Sequence, residues 1–348
     1  MREPIPAHVV TGPLGSGKTT VIASLLASKP PEEDWVVLLN EFSDAGIDAL
    51  TVASAARGAF DVRLVPGGCL CCAGEQDFRR NLQELVTTRR PRRILVEPSG
   101  LGHPSGIVEE LLAWESAGAL RLTGIIALLD PLQLRDGGPP PGSDALAQVE
   151  IADALALSKA DLADRRDRTR FATFVAGLFP PKIWVGEVAG GRLPPEAFEP
   201  GLVAARRAPA VERPALHEAE RHSHSRESIP AVDEVDAANG RRAQVFHVGH
   251  RALRWVFPRA RAFSRERLAG LLAAVGDDAG PLGKVARLKG VLRTSEDEWL
   301  LAQVSGHGFD LRPSSWRRDS RVEVLLDDPA GVIDARAWDA AWLRVQQR

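Results

Sequence analysis

Tyrosine is absent from these 348 residues, methionine occurs once, and lysine occurs six times against 38 arginines. The skew reflects codon composition more readily than function, and it makes each lysine (Lys18, Lys29, Lys159, Lys182, Lys284 and Lys289) informative. Net charge is nearly absent as well: 44 basic residues face 46 acidic ones, for −2. That balance argues against a dedicated binder of nucleic acid or acidic lipid. No apolar run approaches the roughly 18–20 residues of a membrane span, the best being Ile125–Leu129. Met1-Arg2-Glu3-Pro4 passes at once into strand-like residues and leaves no room for a signal peptide. A soluble cytoplasmic protein is expected. Cysteine is scarce and local: Cys69, Cys71 and Cys72 are all there are. An odd number so tightly grouped builds no disulfide framework, so this is a local thiol site.

What is present is an alternation of short apolar runs with helical stretches, the pattern of a mostly parallel sheet flanked by crossover helices. Strands are expected at 7–10, 35–40, 62–65, 93–97, 124–130, 154–158 and 182–185. Several are continuous Val/Ile/Leu runs, as strands buried on both faces require. Helices are expected at 19–27, 76–88, 106–114 and 165–178. Between 191 and 242 prolines interleave with charges and read as a linker. Residues 243–348 then carry strand and helix patterns of a smaller α+β domain, behind an α/β domain over 1–190.

Gly12-Pro13-Leu14-Gly15-Ser16-Gly17-Lys18-Thr19-Thr20 matches G-x-x-x-x-G-K-[ST]. Glycines at 12, 15 and 17 let backbone N–H groups turn inward around phosphate oxygens, with Ser16 and Thr20 in the same cradle. Lys18 is placed to reach the β- and γ-phosphates, and Thr19 to offer its hydroxyl to Mg²⁺. The architecture is that of a P-loop NTPase. An acidic residue at another strand end is needed to complete the Mg²⁺ surroundings, and Glu97 in Ile94-Leu95-Val96-Glu97-Pro98-Ser99-Gly100 supplies it. Gly100 then resembles the switch glycine whose amide senses the γ-phosphate. Ser158-Lys159-Ala160-Asp161 resembles the N-K-x-D loop that reads guanine, with Asp161 accepting from N1 and N2. At about 1.5–3 kcal/mol for each charge-assisted bond, Asp161 discriminates against adenine by about tenfold to more than a hundredfold. Ser158 departs from asparagine, shortens the side chain and removes an amide.

Val65-Pro66-Gly67-Gly68-Cys69-Leu70-Cys71-Cys72 brings soft thiolates together on a turn, a donor set suited to Zn²⁺ or Co²⁺. A helix beginning just after them lowers thiol pKa values. A redox pair or buried inert cysteines are the alternative readings. His217, His222 and His224 sit sparsely in the linker, where solvated histidines are the plainer reading, and Arg89, Arg90, Arg92 and Arg93 read as a solvated face.

Taken together, these segments resemble the CobW-type metallochaperone GTPases, a branch of P-loop GTPases that includes nickel-delivery proteins for hydrogenase and urease. The resemblance runs in order through Gly12–Thr20, Asn40-Glu41-Phe42, Gly67–Cys72, Glu97–Leu101, Leu128-Leu129-Asp130 and Ser158–Asp161. It continues into the second domain through Leu288-Lys289-Gly290-Val291-Leu292 and Arg321-Val322-Glu323-Val324. It implies a GTPase with Glu41 as a switch residue near Mg²⁺ and the transferred metal, and Cys69, Cys71 and Cys72 as metal ligands. Ser43-Asp44 and Gly102-His103-Pro104 depart from the family pattern. The implied activity is GTP-driven delivery of Zn²⁺ (or Co²⁺) to a client protein. No arginine finger is recognisable, so hydrolysis is expected to be slow until a client or a second copy of the chain completes the site. The rival expectation is a passive metal-binding or redox-thiol protein with nucleotide as a structural ligand.

Overall fold

The computed structural model describes residues 3–41, 60–66, 73–98, 104–198, 241–247, 250–276, 282–305, 308–327 and 335–347. They fall in two compact units, Met1–Leu216 and His217–Arg348.

The first unit is built on seven parallel strands: β1 (Ile5–Thr11), β2 (Trp35–Glu41), β3 (Phe60–Pro66), β4 (Arg93–Glu97), β5 (Leu120–Leu129), β6 (Ala154–Leu157) and β7 (Trp184–Glu187). Their order is β3-β2-β4-β1-β5-β6-β7, so β1 lies at the centre. Alternate residues of each strand enter different cores. Ala7, Val9, Val36, Leu38, Ile94, Val96, Ile125 and Ala127 join one cluster, and Val10, Val37, Leu39, Leu95, Ile126 and Leu128 join the other. This is why the strands read as unbroken apolar runs: both faces are covered. Helix α1 (Lys18–Ser28) covers the second face with Val21, Ile22, Leu25 and Leu26. Helices α2 (Ala73–Glu84), α3 (Ser105–Ser116), α4 (Asp144–Ile151) and α5 (Arg165–Gly177) cover the first, through residues such as Phe78, Leu82, Leu111, Val149 and Phe171. Each such buried side chain contributes about 1.5–3 kcal/mol. A short helix, α6 (Pro195–Phe198), follows.

The arginine group at 89–93 departs from the sequence reading. Arg89 pairs with Asp34 at 3.0 Å and with Asp61, tying the turn after α2 to the start of β2 and β3. Arg90, at φ +50°, donates to the carbonyls of Val86 (3.0 Å) and Glu3 (2.9 Å). Arg93 lies 5.0 Å over the Trp35 ring and contacts His8. Arg92 alone of the four is exposed. Apart from Val86, the partners sit far away in sequence, which hid them.

The second unit is a six-stranded antiparallel sheet ordered β12-β11-β10-β13-β9-β8. Its strands are β8 (Arg241–His247), β9 (His250–Phe257), β10 (Val285–Arg293), β11 (Trp299–Ser305), β12 (Gly308–Pro313) and β13 (Ser320–Leu326). One face packs Leu253, Trp255, Leu288, Leu292, Val304, Val322 and Val324 against α7 (Arg265–Gly276) and α8 (Ala335–Val345). Trp255 meets Trp338 and Trp342 at 6.0 and 5.9 Å, and its indole N–H donates to Asp339 at 2.8 Å. The hairpin register sets His247 opposite His250. Among the described residues no helix is long and apolar enough to cross a membrane.

Candidate nucleotide-binding site

Six buried residues of β1 deliver the chain to Gly12, where φ is +141°. A Cβ there would stand 2.4 Å from the Leu128 carbonyl oxygen of β5, so only glycine permits this approach. The loop turns through Ser16 N–H donating to Pro13 O (3.1 Å) and enters α1 behind Gly17, at φ +89°. Gly17 offers no side-chain cap, so the first N–H groups of α1 face the loop's interior with the positive end of the helix dipole. That is an anion site by construction.

Lys18 is 6% exposed and donates to the carbonyls of Gly12 (2.9 Å) and Pro13 (3.2 Å), folding its ammonium back over the loop. The Thr19 hydroxyl donates to the Glu97 carboxylate at 3.1 and 3.4 Å. Glu97 itself is 7% exposed, at the end of β4. This pair of hard oxygen donors fits Mg²⁺. The buried hydroxyls of Thr11 and Ser16 have no hydrogen-bond partner among the described residues, and Ser16 lies inside the loop that a phosphate would fill.

A second cluster flanks the loop. Asp130, after β5, accepts from Leu132 N–H at 2.8 Å, while its own N–H donates to Gln133 Oε1 at 2.9 Å, a capping box on the 3₁₀ turn Pro131–Leu134. The Gln133 amide reaches across to the Leu14 carbonyl at 3.3 Å, and Asp130 pairs with Lys159 at 2.5 Å. Lys159 stands at φ +50°, in the turn leaving β6. Thus one chain of contacts joins the phosphate loop to Ser158–Asp161. Ser158 is buried, its N–H donating to Leu129 O at 2.8 Å, and Asp161 is exposed at the loop's tip. The loop leads into α5, whose N-cap Asp164 accepts from Asp167 N–H at 2.8 Å. That bond holds the Asp164 carboxyl below its ordinary 3.8. On the other side Gly191 approaches α1 so closely that a Cβ would meet Thr20 O at 2.8 Å.

The structure therefore gathers Gly12, Gly15, Ser16, Gly17, Lys18, Thr19, Thr20 and Glu97 at one end of the sheet, with Ser158, Lys159 and Asp161 two strands away. Glu41 is the last residue of β2; Gly100, Cys69, Cys71 and Cys72 lie outside the described residues, as do Ser43, Asp44, His103, His217, His222 and His224. Among the described residues no group of three or more His, Cys, Asp or Glu side chains is arranged to hold a metal. Sequence reasoning gave no role to Asp130 and Gln133, although Asp130-Pro131-Leu132-Gln133 carries the D-x-x-Q capping pattern.

A phosphate loop at the carboxyl end of the central strand of a parallel sheet, with an acidic strand end beside it, defines a P-loop nucleotide-binding protein. Residues 6–180 match the CobW/HypB/UreG nucleotide-binding domain, and residues 253–335 match the cobalamin synthesis protein cobW C-terminal domain. The chain belongs to the CobW/HypB/UreG family of P-loop GTPases. It is 30% identical to the zinc chaperone YeiR of Escherichia coli over 97% of each chain. To the zinc chaperone CobW of Pseudomonas aeruginosa it is 28% identical over 55% of this chain and 58% of that one. The crystal structure of Zn(II)-bound YjiA GTPase from E. coli aligns with 99% of this chain and all of its own at 15% identity and TM-score 0.42.

Proposed function

We propose that this protein is a GTP-hydrolysing metallochaperone that binds Zn²⁺ (or Co²⁺) through Cys69, Cys71, Cys72 and Glu41 and releases it to a client protein under nucleotide control. The observation that carries the reading is the strand register. Glu41 lies opposite Pro66, and Leu39 lies opposite both Leu64 and Glu97. Pro66, three residues before Cys69 in the sequence, therefore ends β3 at the same end of the sheet as Glu41, Glu97 and the phosphate loop. At about 4.8 Å per strand, β3 and β1 are three spacings, about 14 Å, apart.

In this reading Lys18 exchanges its loop carbonyls for the β- and γ-phosphate oxygens, and the N–H groups around Gly15–Thr20 hold the remaining phosphate charge. Thr19 and Glu97 hold Mg²⁺, which when bound supplies charge neutralisation across those phosphates. Gly100 senses the γ-phosphate, and Ser158, Lys159 and Asp161 hold guanine. Loss of the γ-phosphate relaxes the segments after Glu41 and Glu97 and weakens the metal site for transfer. A client, or a second copy of the chain, completes the hydrolytic site. The relatives named as zinc chaperones support zinc as cargo.

The test is competition titration of the reduced protein with Zn²⁺ and Co²⁺, in GDP and then in a non-hydrolysable GTP analogue. We expect affinities differing by about tenfold or more, about 1.4 kcal/mol of coupling, and loss of that difference in Cys71→Ser. Equal affinities in both nucleotide states refute delivery under nucleotide control and leave a GTPase with a passive thiol site.

A further inference from the structure

Ser158 opens the base-reading loop where the N-K-x-D pattern has asparagine. It is 2% exposed, and its hydroxyl has no hydrogen-bond partner among the described residues. The first side chain of the loop therefore does not fasten it.

The loop is fastened from outside. Arg168, on the first turn of α5, donates from Nη2 to Ala160 O (2.9 Å) and from Nη1 to Ala163 O (2.6 Å) and Asp164 O (3.4 Å). Its Nε and Nη2 also donate to the Glu187 carboxylate at 2.9 and 3.2 Å. A guanidinium has five N–H donors, and five contacts take them up. Glu187 ends β7, and the next residue, Val188, accepts from Ala160 N–H at 3.1 Å and donates to Leu157 O at 2.8 Å. Both sides of Asp161 are thereby tied to one strand end. Lysine, with a single point of charge and three donors, has no equivalent geometry.

We propose that Arg168, oriented by Glu187, is a positioning residue for guanine recognition, holding residues 158–163 in place of the amide that Ser158 lacks. This rests on the reading of Asp161 as the guanine-binding residue. Phosphates are held by a different loop, so the two halves of the nucleotide separate the explanations.

The experiment titrates the full chain with GDP, ADP and inorganic tripolyphosphate, for the natural sequence, Arg168→Lys and Glu187→Gln. Glu187 is exposed, so its substitution keeps the fold while removing the orienting charge. We expect Arg168→Lys to bind GDP about tenfold more weakly and Glu187→Gln, which neutralises an exposed pair, about two- to fivefold more weakly, both with a smaller preference for GDP over ADP. Tripolyphosphate affinity stays within about twofold of the natural sequence, because its site is untouched. Adding Ser158→Asn to Arg168→Lys restores part of the GDP preference. Undiminished GDP preference in both variants overturns the proposal, as does a parallel loss of GDP and tripolyphosphate binding. A natural chain that binds ADP as tightly as GDP refutes the guanine reading itself, and this inference with it.

Discussion

Gly12→Ala is the sharpest probe of the phosphate loop, because its cost can be worked from the geometry. The new Cβ would stand 2.4 Å from Leu128 O and 2.7 Å from Ser16 Oγ. The first contact is with backbone of β5, where Leu128 is paired with Ala156 of β6 and buried, so it has nowhere to move. Two costs add: φ of +141° for a side-chain-bearing residue, about 1–3 kcal/mol, and overpacking, about 1–3 kcal/mol. Gly15, at φ +78° with nothing within 4 Å of its virtual Cβ, carries only a left-handed backbone cost of about 1–2 kcal/mol. At about 3 °C per kcal/mol for a unit of this size, Gly12→Ala should lower the midpoint by about 6–18 °C and Gly15→Ala by about 3–6 °C. Differential scanning calorimetry without nucleotide, following the first unit's transition, measures both. Equal shifts in the two variants would refute the argument that the Leu128 contact, more than loop conformation, demands glycine at position 12.

Two further outcomes follow from the same structure. Glu97→Gln keeps an acceptor for the Thr19 hydroxyl but removes the charge, so the fold should survive while Mg²⁺ ceases to tighten GDP binding; an unchanged Mg²⁺ dependence in fluorescence titration would remove Glu97 from that role. Burial holds the Lys289 ammonium below its ordinary 10.5, so the unfolded chain binds more protons between the lowered value and 10.5, and stability rises with pH across that window. No tyrosine titrates there. Lys289→Met should be the more stable protein at neutral pH and lose its advantage as pH climbs through that window in urea denaturation; parallel pH profiles for the two proteins would contradict this.

Strands were legible in the sequence where chemistry was local. Val36–Leu39 and Ile94–Val96 are apolar throughout because alternate residues serve two cores, and the P-loop spacing is dictated by phosphate geometry. The edge strand β12 was not legible, since its Gly308-Phe309-Asp310-Leu311-Arg312-Pro313 has mixed polarity and ends in proline, whose missing N–H costs least at a sheet edge. Helix α4 has eight residues behind a Pro/Gly-rich turn, with only Ser143 and Asp144 to mark its start. Lys182 gave no hint that it would donate to the carbonyls of Val149, Glu150 and Ala152. Arg168 hides in Arg165-Arg166-Asp167-Arg168, a run that looks solvated until Glu187 and the loop carbonyls arrive from elsewhere in the chain. Residue types foretell chemistry; which charges face water is decided by tertiary neighbours.

The central place of β1 has a consequence for biosynthesis. The strand is made before both of its partners, β4 and β5, with which it shares register contacts such as His8 to Leu95 and Thr11 to Ala127. A ribosome adding about 5–20 residues per second takes on the order of 6–25 s to travel from one to the other. Until then the backbone N–H groups of β1 lack their ladder, and Gly12 has no Leu128 to lean against. The phosphate loop is thus made before the strand it leans on, so a nascent chain gains its nucleotide site only after the fifth strand has emerged.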